Sequence, residues 1–73
     1  MHTVYIHIDE KLDDAALKAL RGDLQKMHHV TDVEIDSKKP HDILIEFEEE
    51  HISPMAILKE FTRHGLHADI VSA

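Results

Sequence analysis

Apolar and polar residues alternate along the first eight positions: Val4, Ile6 and Ile8 fall on one side of an extended chain, opposite Thr3, Tyr5 and His7. A period of two predicts a half-buried strand. Asp9-Glu10-Lys11 interrupts it. Leu17, Leu20, Leu24 and Met27 then recur at spacings of three and four, which predicts one apolar stripe on a helix. Asp13 and Asp14 stand where that helix begins and suit its positive end as cap or dipole partners. Gly22 lies off the stripe and is expected to be an exposed helical glycine.

Alternation returns at Val33 and Ile35, between Asp32, Glu34 and Asp36, and predicts a second strand. Ser37-Lys38-Lys39-Pro40 has turn chemistry. A third strand follows, with Ile43, Ile45 and Phe47 inward and Leu44, Glu46 and Glu48 outward. Ser53-Pro54 opens a second helix, serine as N-cap and proline at the first helical position. Ile57, Leu58 and Phe61 form its buried face, and Gly65 after His64 stops it. Ala68 and Ile70 point inward on a last strand, with His67, Asp69 and Val71 outward.

The predicted order is therefore β-α-β-β-α-β in one domain, residues 1–73. Two split βαβ units with right-handed crossovers give an α+β fold. Its four-stranded antiparallel sheet has order 4-1-3-2, with both helices on one face.

Composition narrows what such a domain does. Lys and Arg number 8 against 15 Asp and Glu, a net charge of −7 with histidine neutral. Nucleic-acid binding needs basic charge to displace phosphate counterions, so no nucleic-acid partner is expected. No apolar run approaches the roughly 20 residues of a membrane-spanning helix. Met1-His2-Thr3 does not begin a signal peptide, and a cytoplasmic protein without membrane insertion is expected. The chain has no Cys and eight His. Disulfides and thiolate metal sites are excluded.

The arrangement resembles the heavy-metal-associated domains of small copper chaperones and metal-transporting ATPases, which are ferredoxin-like. The resemblance covers nearly the whole chain. It is carried by the Val4–Ile8 strand, the Leu17/Leu20/Leu24 helix, His29-Val30-Thr31-Asp32-Val33-Glu34-Ile35, the Ser53–Phe61 helix and the Gly65-Leu66 corner. That family carries a Met-x-Cys-x-x-Cys loop after its first strand. The Met position falls near Lys11 here and the two Cys positions near Asp13 and Ala16. The aromatic that usually follows the corner glycine is Leu66. Soft Cu(I) selects thiolates, so the family's Cu(I) transfer is excluded for this chain. Acylphosphatase, also ferredoxin-like, is not supported, because no glycine-rich phosphate loop with a paired arginine is present.

Topology sorts the histidines by end. His7, His41, His64 and His67, with Asp9 and Asp42, are expected at the end where the resemblance implies metal binding. His2, His28, His29 and His51 belong to the opposite end, where adjacent loop histidines such as His28-His29 are not expected to converge on one ion. His7 and His67 lie on antiparallel neighbours and are expected to face each other on the open side of the sheet. Imidazole and carboxylate donors favour Zn, Ni, Cu(II) or non-haem Fe(II). The alternative is that these are ordinary surface histidines and no metal is bound; no His-x-x-x-His helix pair or His-Glu-x-x-His motif decides between them.

Tyr5, Leu44 and Val71 form a small apolar patch on the open sheet face, ringed by Asp32, Glu34, Glu46 and Asp69. Such a patch serves a homodimer or a protein partner, or is an unremarkable strand exterior. The run Glu46, Glu48, Glu49, Glu50 lacks a calcium loop pattern and reads as a solvated strand end. Ser37, Ser53 and Ser72 have no evident base, so no enzyme is expected. Two functional readings stand: a metal-binding or metal-pathway accessory module using His and carboxylate in place of Cys, and a metal-free interaction or regulatory domain that dimerises through its sheet.

Overall fold

A computed structural model of the chain describes residues 2–35, 38–39 and 41–72. Six elements follow one another: β1 His2–Ile8, α1 Asp14–Gln25, β2 Val30–Ile35, β3 Asp42–Phe47, α2 Pro54–Arg63 and β4 Ala68–Ser72. The strands form one antiparallel sheet in the order β2-β3-β1-β4, which is the expected 4-1-3-2 read from the other edge. Asp36, Ser37 and Pro40 of the expected turn lie outside the described residues.

Period-two alternation places Val4, Ile6 and Ile8 of β1 against Ile43, Ile45 and Phe47 of β3, all fully buried. Val33 of β2 joins them from one edge. Leu20, Leu24, Ile57 and Phe61 cover them from the helices. Leu17 and Leu58, both expected in the helical stripes, are half-buried at the margin. Met27 packs against the core from beyond the end of α1.

Each helix is capped by the residues its sequence marks. Asp13 is the N-cap of α1, its carboxylate accepting from the Ala16 amide at 2.8 Å. Ser53 does the same for α2 through the Ala56 amide, with Pro54 following. Both satisfy amides that the helix leaves without partners. Helix α2 ends where Gly65 turns left-handed, at φ 74°. There the Gly65 amide donates to the Thr62 carbonyl and the Leu66 amide to the Phe61 carbonyl, a Schellman closure. Among the described residues no helix is long and apolar enough to cross a membrane.

Candidate functional site

Strand β3 runs from one cluster of polar side chains to another. At its start, His7 of β1 stands directly opposite Asp42, and its Nδ1 lies 3.0 Å from the Asp42 carboxylate. His41, one residue earlier, places Nδ1 at 2.9 Å from the Ile8 carbonyl oxygen. A carbonyl only accepts, so Nδ1 of His41 carries the proton and the neutral ring leaves Nε2 as its lone-pair nitrogen. An ionised Asp42 demands the same of His7. The two rings stack with centroids 5.7 Å apart and planes at 29°.

The other expected ligands are held elsewhere. The β1–β4 register sets Asp69, not His67, opposite His7. His67 lies just before β4, where its carbonyl receives the Asp9 amide at 2.9 Å. Its imidazole Nδ1 is 2.6 Å from Glu10, whose other oxygen accepts the His67 amide at 2.9 Å. The side-chain bond to His67, then the backbone bond, lowers the Glu10 carboxyl below its ordinary range. That same hydrogen bond, then the Glu10 charge, raises the His67 imidazole. Glu10 did not figure among the expected site residues, because nothing in a strand-end acidic residue signals which amide it will accept.

His64 turns toward the helices. Its Nε2 lies 2.8 Å from Asp23 of α1 and 3.8 Å from Glu60 of α2. Glu60 also receives Arg63 at 2.8 Å and is the one buried charged residue among those described. Asp23, Glu60 and His64 bring three donor atoms within 4.8 Å of one another. Arg63 already meets Glu60 and His64 already meets Asp23, which makes the group a tie between α1 and α2.

At the far end of β3 the structure joins two of the histidines expected at that end, His29 and His51, to Glu48, which the sequence reads only as part of a solvated strand end. Glu48 leaves the strand with its amide bonded to the His29 carbonyl at 2.8 Å. His29 and His51 stack at 4.3 Å between ring centroids, 18° between planes. His29 Nδ1 lies 3.4 Å from Glu48. Here too one donor atom from each of His29, Glu48 and His51 lies within 4.8 Å of the others. Glu48 and His51 are three residues apart, a spacing that brings side chains together only if the segment turns, and strand alternation gives no sign of that.

Tyr5 and Leu44 are cross-strand partners, and Tyr5 and Val71 are 50% and 66% exposed.

No family model matches the sequence, and no curated protein matches it. Solved structures do match in fold. The copper binding domain from HMA7, a P-type ATPase, superposes with a TM-score of 0.88 at 14% identity, covering 99% of this chain and 96% of that one. Oxidized MerP from Ralstonia metallidurans CH34 gives 0.85 at 14% identity, covering 97% of each chain. The yeast copper transporter domain CCC2A gives 0.86 at 14% identity, with 99% and 97% covered. The chain thus has the ferredoxin-like fold of heavy-metal-associated domains, and it has no cysteine. Its donors do not suit Cu(I): at the positions near the expected thiolates, Asp13 is committed to capping α1 and Ala16 offers no donor side chain.

Proposed function

We propose that this chain is a small non-catalytic module of metal handling that binds a borderline divalent ion such as Zn, Ni or Cu(II) through imidazoles at the start of β3. The observation that carries this reading is the paired arrangement of His7 and His41. Each ring nitrogen Nδ1 is engaged by an oxygen acceptor, Asp42 for one and the Ile8 carbonyl for the other. Metal-bound histidines are oriented in the same way, the second nitrogen donating to a carboxylate or carbonyl while the first faces the ion. Sharing a fold with copper-binding domains supports the reading further. Asp9 and His67 flank the same end of β1 and supply additional donors. His67 and His64 each hold one ring nitrogen against a carboxylate of their own, Glu10 and Asp23, and stand behind His7 and His41 as secondary candidates.

The test is a zinc titration of untagged protein, with the imidazole nitrogens followed by long-range 1H–15N NMR. His7 and His41 signals should move together and saturate. The variant His7→Ala/His41→Ala should bind one zinc equivalent fewer by calorimetry; if it keeps the parent's stoichiometry and affinity, the reading is wrong.

A metal-free dimer through the sheet face is the second reading, favoured by the direct Tyr5–Leu44 pairing and the exposed Val71. A second copy would bring the same acidic rim against Asp32, Glu34, Glu46 and Asp69, so dimerisation should strengthen as salt screens the repulsion. Sedimentation of a strict monomer at high protein and high salt would remove it.

A further inference from the structure

We propose that His29, Glu48 and His51 form a second divalent-cation site at the opposite end of the sheet, separate from His7 and His41. Two imidazoles and one carboxylate are a donor set suited to Zn and its borderline neighbours, with positions left for water. The three ligand atoms already lie within 4.8 Å of one another, so an ion can draw them in by small side-chain rotations.

The backbone holds these side chains in place before any ion arrives. The Glu48 amide donates to the His29 carbonyl at 2.8 Å, which ties the entry of β2 to the exit of β3. The Glu48 carbonyl then accepts the amides of His51 at 3.0 Å and Ile52 at 3.1 Å, which folds the segment so that residues 48 and 51 meet. His29 itself is left-handed at φ 71°, the only non-glycine among the described residues with positive φ. Glycine takes that conformation without steric cost, whereas a side chain there is strained. Placing histidine at this position sets its ring over His51.

Hydrogen bonding alone does not account for the group. The His29–Glu48 separation of 3.4 Å is at the outer limit of a bond. Glu49 is turned aside toward His2 at 3.6 Å, which leaves Glu48 as the carboxylate facing the stacked rings. With Glu48, Glu49 and Glu50 in succession and a net charge of −7, this end attracts a cation rather than repelling it.

The experiment separates this site from the one proposed above, since the two share no residue. Untagged protein is titrated with zinc chloride under long-range 1H–15N NMR. His29 and His51 imidazole signals should shift together. In His29→Asn/His51→Ala, calorimetry should show this zinc equivalent bound at least about tenfold more weakly, while the His7 and His41 imidazole shifts persist. Asparagine accepts the left-handed backbone, so this variant should keep its amide spectrum. Glu48→Gln, which removes the charge and leaves the fold intact, should weaken the same event. The inference is overturned if His29→Asn/His51→Ala binds zinc with the parent's stoichiometry and affinity, or if the His29 and His51 signals stay still up to millimolar zinc. Zinc binding at His29 and His51 that survives His7→Ala/His41→Ala supports it, whatever becomes of the first site.

Discussion

Replacing Ile45 by alanine should remove a large share of the stability of this domain. Ile45 is fully buried at the middle of the sheet, opposite Val4 of β1 on one side and Val33 of β2 on the other. Both neighbours are fully buried as well, so no mobile side chain is free to fill the space. Three carbon atoms are lost, worth near 2.4 kcal/mol at about 0.8 kcal/mol each. The residual cavity brings the total to about 3–4 kcal/mol, within the usual span for Ile→Ala. A 73-residue domain has roughly 4–11 kcal/mol in all. Melting should therefore fall by roughly 12–30 °C. Urea unfolding followed by circular dichroism measures the loss, with Val71→Ala as the exposed control, expected within about 0.5 kcal/mol of the parent. A loss under about 1 kcal/mol for Ile45→Ala, or one equal to that of Val71→Ala, would refute the reasoning. Because β3 lies between His41 and Glu48, the same measurement reports on the strand that frames both proposed sites.

The two glycines should respond in opposite senses to alanine. Gly22 is helical with open space around its added Cβ, so Gly22→Ala should stabilise by about 0.5–1 kcal/mol, whereas Gly65→Ala at φ 74° should destabilise by about 1 kcal/mol, both read from urea midpoints. Ser53→Ala removes the α2 cap and should cost about 0.5–2 kcal/mol; an unchanged midpoint would mean that water caps the helix equally well. The Glu10–His67 pair should make stability depend on pH in a bounded window. The raised His67 stabilises below its ordinary 6.5 and loses that contribution as pH rises through its folded-state value. The lowered Glu10 stabilises above its ordinary 4.5 and loses that contribution as pH falls through its own. Glu10→Gln should flatten this dependence and bring the His67 midpoint down in an NMR titration; a His67 midpoint that does not move would show that the bond is not formed in solution.

Local pattern carried the fold because each element here signals itself within a few residues. Alternation at Val4–Ile8 and Ile43–Phe47 sets which face is buried, and a shift of one residue would expose the whole set. Asp13, Ser53-Pro54 and Gly65 mark helix ends through bonds that reach only three or four residues along the chain. Glu60 was not legible in this way: a charged helix residue carries no local sign that the folded chain will bury it, here beside Arg63 and His64.

The histidines divide along the same line. Their number, and the absence of cysteine, belong to the composition and exclude thiolate chemistry at once. Assignment of each to an end of the sheet follows from strand order. Partners do not, because a side-chain contact depends on register and on turns to within a single residue. The register puts Asp69, two residues on from His67, opposite His7, and Glu10 takes His67 instead. One left-handed residue and one backbone bond bring His29 to Glu48 and His51, from segments 19 residues apart in the chain. Sequence alone determined the framework and the kinds of donor available; tertiary structure decided which donors meet, since only the folded chain fixes distances between segments that are remote in sequence.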